Sequence, residues 1–351
     1  MPVLARTIAT PVAIEVRRGA IDGLGALLAD GRISGGGKVA VAVGPGIGEH
    51  IERRLDVAIP AATVLGVSGG TVEAGLELAA RLREDHYDAL VGIGGGRTLD
   101  AAKYAASLVG LPFVSVATSL THDGLASPVA SLDSAGRRAS FGVHIPIAVF
   151  VDIDFVVEAP LRHLRSGIGD VISNLSAIAD WELAAACGQA RLDGLAVALA
   201  RNAAEALLGA RAPLDSEQLL TTLAESLIAS GLAMAVAGSS RPCSGACHEI
   251  SHALDTHHGA PGLHGEQVAV GALFASHLRQ DPRTAEIDEC FRRFGVPRLP
   301  TDLGVDEEVF LEAVLTAPRT RPDRYTILEE LDLGRDEATR RIRDFVTTFD
   351  R

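Results

Sequence analysis

Apolar residues fall in two rhythms along the chain, and the change comes near residue 157. Before it, short near-continuous apolar runs end in small turn residues. Lys38–Val43 closes on Gly44-Pro45-Gly46, 63–67 on Ser68-Gly69-Gly70, 89–93 on Gly94-Gly95-Gly96, and Phe113–Ala117 on Thr118-Ser119. A fifth run, 149–153, carries Asp152 and precedes Asp154. Between the runs, 72–83 and 99–108 space their apolar residues three and four apart, as a helix with one buried face does. Strand, turn, helix, strand is the pattern of βαβ units. Strands with no polar alternation predict a parallel sheet covered on both faces. Within this half, 127–132 and 138–143 flank Asp133-Ser134-Ala135-Gly136, which predicts a β-hairpin.

From Pro160 onward the strand-like runs stop. Ala- and Leu-rich stretches at helical spacing take over at 170–187, 192–208, 216–237, Ala246–His257 and 265–278, punctuated by Gly209, Pro213 and Gly238. The fold class expected is α/β, with a parallel-sheet domain over residues 1–157 and an all-helical domain over 158–351. No repeat or low-complexity linker separates them, so the two should pack closely around a cleft. The length of 351 residues accommodates both.

Composition narrows the function classes. Acidic residues outnumber basic ones 45 to 32, a formal charge of −13, which argues against broad attraction to nucleic acid. Hydrophobic residues at 47% exclude a disordered chain, and aromatics at only 4% leave the core to Ala, Val, Leu and Ile. Lys38 and Lys103 are the only lysines, a bias read as that of a GC-rich genome. No apolar run reaches the ~18 residues of a membrane span. Met1 to Thr10 lacks the basic flank and apolar stretch of a secretory signal, so a cytoplasmic location is expected. Homo-oligomer formation is left open. Cys187, Cys243, Cys247 and Cys290 do not make a disulfide scaffold. Cys243 and Cys247, four apart in a helical stretch, should share a face; with no second pair they read as buried small hydrophobes and not as a metal site.

Two features carry candidate chemistry. Val91-Gly92-Ile93-Gly94-Gly95-Gly96-Arg97-Thr98-Leu99-Asp100 joins a strand to a helix. Bare N–H groups at a helix N-terminus suit a pyrophosphate, since the dipole is positive there and glycine allows close approach. The stretch departs from the dinucleotide fingerprint at Arg97, where that pattern wants Gly or Ala. A tight turn without ligand is the alternative. The second feature is a cluster of five histidines: His248, His252, His257, His258 and His264. His248 and His252 share a helix face. Some of the five should bind a divalent metal, with a carboxylate completing the set. Asp170, in Gly167-Ile168-Gly169-Asp170 at the start of the first long helix, is either that carboxylate or a helix cap. The string His248-Glu249-Ile250-Ser251-His252 also matches the H-E-x-x-H zinc-protease motif, with His258 in a third-ligand position but Asp255 where the turn glycine belongs.

Five stretches together resemble one family. They are Gly94-Gly95-Gly96-Arg97-Thr98-Leu99-Asp100-Ala101-Ala102-Lys103; Thr118-Ser119-Leu120-Thr121-His122-Asp123-Gly124-Leu125-Ala126-Ser127-Pro128; Gly167 to Asn174; Gly238-Ser239-Ser240-Arg241-Pro242 through His248, His252 and His264-Gly265-Glu266-Gln267; and Arg321-Pro322-Asp323-Arg324-Tyr325-Thr326. They look like the sn-glycerol-1-phosphate dehydrogenases, in the superfamily of iron-containing alcohol dehydrogenases and dehydroquinate synthases, over about residues 10–330. The resemblance implies an N-terminal nucleotide-binding domain and a C-terminal helical domain that binds metal and substrate. It implies Asp170, His248 and His264 as metal ligands; Asp123, Asp170 and His252 at the substrate; and Asp123 and His252 in catalysis. Dinucleotide contacts would fall on Gly94, Gly95, Gly96, Arg97, Thr98, Asp100, Thr118, Ser119, Thr121 and Ser127. Arg97 stands where the family commonly has Lys, and Leu120 where it has a small residue.

The activity implied is NAD- or NADP-dependent reduction of dihydroxyacetone phosphate, or a similar small phosphorylated ketone, with one divalent metal: zinc, with iron or nickel as alternatives. His252 would relay the proton. Arg241 and Arg321 are candidate phosphate donors. A sugar-phosphate cyclase of the dehydroquinate-synthase type would share fold, metal and NAD, but Asp170 in place of Glu and the scarcity of lysine count against it. The zinc protease is the third reading.

Overall fold

The computed structural model describes residues 8–45, 49–134, 136–257, 259 and 261–350. His258, part of the protease reading, lies outside them, as do Gly46 and Ala135 of the expected turns.

Six strands form one parallel sheet: β1 (Ala13–Arg17), β2 (Lys38–Val43), β3 (Thr63–Gly66), β4 (Tyr87–Gly94), β5 (Phe113–Ala117) and, after the hairpin strands β6 (Val129–Ser134) and β7 (Arg137–Gly142), β8 (Ala148–Asp152). Their order across the sheet is β1-β8-β5-β4-β2-β3. Alternate residues of each strand feed opposite layers. Ala40, Ala42 and Leu90 face one core, while Val41, Val43, Val91 and Ile93 face the other. Both faces are buried, which is why the runs read as continuously apolar. β1 pairs with β8 at the edge; two charges in five residues, Glu15 and Arg17, hid it from the apolar pattern.

In this half the helices are α1 (Leu24–Leu28), α2 (Glu49–Ala58), α3 (Val72–Glu84), α4 (Gly96–Val109) and α5 (Ile153–Val156). α3 crosses over from β3 to β4, and α4 from β4 to β5. After β8 the chain is helical: α6 (Leu161–Ala186), α7 (Gly194–Gly209), α8 (Glu217–Ala237), α9 (Ala246–His257), α10 (His264–Arg279), α11 (Thr284–Phe294), α12 (Glu307–Thr316), α13 (Ile327–Leu331) and α14 (Arg335–Phe349). α8 is long and apolar enough to cross a membrane by composition, yet 61% of its most apolar window is buried inside the protein. One core cluster runs without a break from the sheet through α3 and α4 into α6, α8, α9 and α10.

One expectation is corrected here. Asp170 does not start a helix: α6 begins at Leu161 and carries Asp170 in its interior. The capping reading therefore falls. Gly167 and Gly169 mimic a helix boundary in sequence but serve close approach. A Cβ on Gly167 would strike the Leu120 carbonyl, and one on Gly169 the carbonyl of Gly265. Gly265 in turn abuts the Ser166 carbonyl. α6 and α10 meet backbone to backbone at this crossing, which brings Asp170 and His264 together.

Candidate active site

The glycine turn lies where the sheet reverses winding direction. β2 leads outward to β3 while β4 leads the other way to β5, so a crevice opens between the carboxyl ends of β2 and β4. Gly44 and Gly94 form its floor. The Thr98 side chain fills the space where either Cβ would stand, and Gly94 has φ 154°, a conformation L side chains rarely adopt. Gly95 precedes α4 as an extended residue, with no side chain capping the helix. The first amides of α4 are thus left for an anion. Ser119 Oγ lies 3.0 Å from where a Gly95 Cβ would be.

Gly96 has a different reason. The space above it is taken by the imidazole of His122, whose Nε2 stands where a Cβ would project. His122 is wedged between Gly96 and Gly124, and its Nδ1 accepts from the Gly124 amide at 3.0 Å. Burial, together with Arg138 and Lys103 nearby, pushes its pKa down to about 3, so the ring is neutral and keeps its proton on Nε2. The sequence reading passed over His122.

Asp170 on α6, His248 on α9 and His264 on α10 present ligand atoms that all lie within 4.8 Å of one another. Asp170 Oδ1 is 4.0 Å from His248 Nε2 and 3.8 Å from His264 Nε2. The far side of each group is already engaged. Asp170 Oδ2 accepts from the Asp123 amide at 2.9 Å. His248 Nδ1 is 3.3 Å from Cys247 Sγ. His264 Nδ1 is 3.2 Å from Ser251 Oγ, whose hydroxyl donates to Gln267 Oε1 at 2.6 Å. Since that hydroxyl proton goes to Gln267, its oxygen must accept from His264 Nδ1–H, leaving the Nε2 lone pair for the centre. Burial raises the Asp170 carboxyl above its usual range, with Asp123 adding to the effect, and pushes His248 and His264 well below theirs. Two imidazole lone pairs of low proton affinity and one carboxylate oxygen, converging in a buried space, fit a divalent metal with positions left open.

His252 sits beside this trio, its ring centroid 6.5 Å from that of His264. Its Nε2 accepts from Arg321 Nη2 at 3.1 Å. That nitrogen is therefore turned to the guanidinium and not to the metal position. Burial and Arg321 push its pKa down to about 3. Glu249 points elsewhere: Thr326 Oγ1 donates to its Oε2 at 3.1 Å, and burial raises its pKa to about 9. A protonated carboxyl turned away from His248 and His252 cannot serve as a protease base, and the protease reading fails on this point.

Asp123 opens a short 3₁₀ turn, Asp123–Leu125, beneath the cluster. Burial raises its carboxyl, and Lys103 pulls it back. Lys103 is fully buried, donates to the Gly124 carbonyl at 2.6 Å and pairs with Asp100 Oδ1 at 3.3 Å. Asp100, grouped with the dinucleotide contacts by resemblance, is engaged elsewhere: its Oδ2 accepts from the Ser131 amide and only 1% of the residue is exposed. It holds Lys103, and through it the Asp123 turn. Ser166 Oγ–H donates to the Thr121 carbonyl and Ser127 Oγ–H to the Val129 carbonyl, while Ser127, like Asp100, also lines the inner cavity. Thr118 continues the sheet by donating to the Gly94 carbonyl. Cys243 and Cys247 do not share a helix face, because α9 starts only at Ala246; both are buried, and Cys243 Sγ–H donates to the Ser230 carbonyl.

A cavity reaches the centre between the hairpin and the helical half, lined by His122, Asp123, His248, His252 and Arg321 among others. Arg321 belongs to this wall. Arg241 stands outside it and donates to the Asp323 carbonyl at 2.9 Å.

Comparison with known proteins agrees with this architecture. A family model described as iron-containing alcohol dehydrogenase matches residues 15–160. The glycerol-1-phosphate dehydrogenase (NAD(P)+) of Methanosarcina barkeri is 37% identical over 283 residues, covering 80% of this chain and 79% of its own. The enzyme of the same name from Methanothermobacter thermautotrophicus is 36% identical over 342 residues, 95% and 97% of the two chains. Among solved structures, a probable glycerol dehydrogenase from Sinorhizobium meliloti superposes with a TM-score of 0.77 at 22% identity over 99% of both chains. Sulfoacetaldehyde reductase from Bifidobacterium kashiwanohense, in complex with NAD+, gives 0.76 at 19% identity over 99% of this chain and 100% of its own. These two likenesses carry the fold alone.

Proposed function

The chain belongs to the glycerol-1-phosphate dehydrogenase family of iron-containing alcohol dehydrogenases, and on that premise we propose that it reduces dihydroxyacetone phosphate to the secondary alcohol with NADH or NADPH. The observation that carries the reading is the convergence of Asp170 Oδ1, His248 Nε2 and His264 Nε2 next to a glycine turn built for a pyrophosphate. The nicotinamide, when bound, would supply hydride to the ketone carbon, and the protein a proton to the oxygen. A divalent metal held by the trio, zinc in this reading, supplies a Lewis acid that polarises the ketone and needs no change of oxidation state.

The protein's own groups do the rest. The uncapped N-terminus of α4 and Gly95 would hold the pyrophosphate, with Thr98 and Ser119 beside the turn. The Asp123 amide fixes Asp170 so that one carboxylate oxygen faces the centre. The Asp123 carboxyl accepts from substrate hydroxyls. His252 would relay a solvent proton to the oxygen, giving up its Nδ1–H as Nε2, the atom Arg321 holds, takes a proton in its place. The site spans both halves of the chain, with the division between them placed at 157/158.

The test is NADH and NADPH oxidation by metal-loaded enzyme with dihydroxyacetone phosphate and free ketones. Turnover of the phosphorylated ketone is expected. Phosphate release with no net NADH change would instead mark a cyclase.

A further inference from the structure

Beyond the centre lies an outer cavity of about 640 Å³ whose wall includes Arg138, Arg319, Arg321, His252 and His257 and no carboxylate. In a chain of net charge −13, a basic recess of this kind is a local reversal. Arg138 and Ser140 are two apart on β7 and so project from the same face. Arg138 donates Nε to Ser131 Oγ at 3.0 Å. Arg321 reaches across to the hairpin, donating to Ser140 Oγ at 3.3 Å while holding His252. Arg321 and Ser140 stand in the wall of both this cavity and the inner one, so together they form the neck between them. Among the described residues, no carboxylate lies within ion-pair distance of Arg138 or Arg321. Asp100 and Asp255 act on Arg138, and Asp323 and Glu249 on Arg321, only from beyond contact, so an anion seated between the two partly buried guanidiniums would complete them.

We propose that Arg138 and Arg321 form the subsite for the substrate's phosphate at this neck, with Ser140 and Ser240 as neutral donors, so that the ketone end is directed inward past His252 to the Asp170, His248 and His264 trio. The inference rests on the dehydrogenase reading of the same site. A phosphate dianion offers several oxygens to two planar forks, a match that a single ammonium group does not give. Arg319 at the outer rim adds attraction on entry. The burial that lowers the pKa of Arg321 agrees with a desolvated anion site, though the geometry carries the case.

The experiment compares dihydroxyacetone phosphate with dihydroxyacetone in metal-loaded enzyme with NADH, for wild type, Arg138→Gln, Arg321→Gln and the two Lys variants. The readout is the ratio of kcat/KM for the two ketones, in which any shared damage to His252 or to folding cancels. Loss of one charge-assisted contact should lower that ratio about ten- to a hundredfold in each Gln variant, with partial recovery in Lys. Calorimetric binding of inorganic phosphate to the metal-loaded protein should weaken in the same two Gln variants. That second measurement separates the two readings. If wild type reduces neither ketone, the dehydrogenase reading fails, while phosphate binding lost in Arg138→Gln and Arg321→Gln still supports the subsite. A ratio unchanged in both Gln variants, or phosphate binding that survives both substitutions, overturns the subsite.

Discussion

Ser251→Ala tests whether the metal centre depends on the groups behind it. Ser251 is fully buried on α9, and its hydroxyl links His264 to Gln267, accepting from His264 Nδ1 at 3.2 Å and donating to Gln267 Oε1 at 2.6 Å. Gln267 cannot swing round to take its place, because its amide nitrogen is held by Asp255 Oδ1 at 2.9 Å and the Pro261 carbonyl at 3.1 Å. The substitution therefore strands one buried donor and one buried acceptor, and alanine itself suits a helix interior. Leaving such a group unsatisfied costs about 1–3 kcal/mol of stability. For the metal the effect is more specific. Without an acceptor at Nδ1 the ring is free to turn or to move its proton to Nε2, the atom that faces Asp170. Loss of such a supporting partner typically weakens metal affinity about 10- to 100-fold. Competition with a chelator of known affinity measures this directly, and kcat at saturating metal should fall by less than the affinity does. Wild-type metal affinity in Ser251→Ala would refute the tautomer argument, and the assignment of His264 with it.

Three further outcomes follow from the geometry. His248→Ala and His264→Ala should each lose the bound divalent ion by elemental analysis, whereas His252→Ala should keep it and lose turnover, because Arg321 already engages His252 Nε2. Gly95→Val should weaken NAD(P)H binding in fluorescence titration with metal content unchanged; Gly96→Ala should do so by displacing His122, and His122→Ala should restore part of what Gly96→Ala loses. Asp180→Ala should cost about 3–5 kcal/mol in urea unfolding, since this buried carboxylate accepts from the Ala246 and Ile327 amides and pairs with Arg279.

Much of this was legible in the residues. Lys38–Val43 and Phe113–Ala117 are strands to the residue, because a sheet buried on both faces leaves runs that only turn glycines interrupt. Ala246–His257 is a helix for the complementary reason, an apolar stripe with polar residues at fixed offsets. The metal trio was not legible from spacing, since its members come from α6, α9 and α10 and meet only where Gly169 and Gly265 let two helices touch; resemblance alone joined them. Those same glycines made Asp170 look like a helix start. Ser251 and Gln267 did leave a trace. Ser251 continues the 248, 252, 255 polar stripe of α9, and Gln267 lies one turn after His264, so a stripe of polar residues on a buried helix face was the signal. His122 left none, because its role depends on the backbone of Gly96 and Gly124.

The loop from Thr118 to Ser127 ties the glycine turn of the sheet half to the Asp170, His248 and His264 trio of the helical half. Its first residue extends the sheet by bonding Gly94, the residue before the cofactor turn. His122 then packs on Gly96, the first residue of α4, with its ring centroid 6.2 Å from that of His264. The Asp123 amide holds Asp170, while Lys103 from α4 holds the next carbonyl, Gly124. Four attachments, three to the sheet half and one to the helical half, fall within ten residues. A shift of α4 relative to α6 would break one of them outright, since buried N–H and C=O groups have no water to turn to. On the proposed reading, the spacing of the glycine turn and the trio is held by a segment with little regular structure, and the buried Lys103–Asp100 pair anchors that segment at Gly124. Buried ion pairs are poor sources of stability; here the pair fixes a geometry, and a hydride transfer that needs its two partners held in register is where such a cost is recovered.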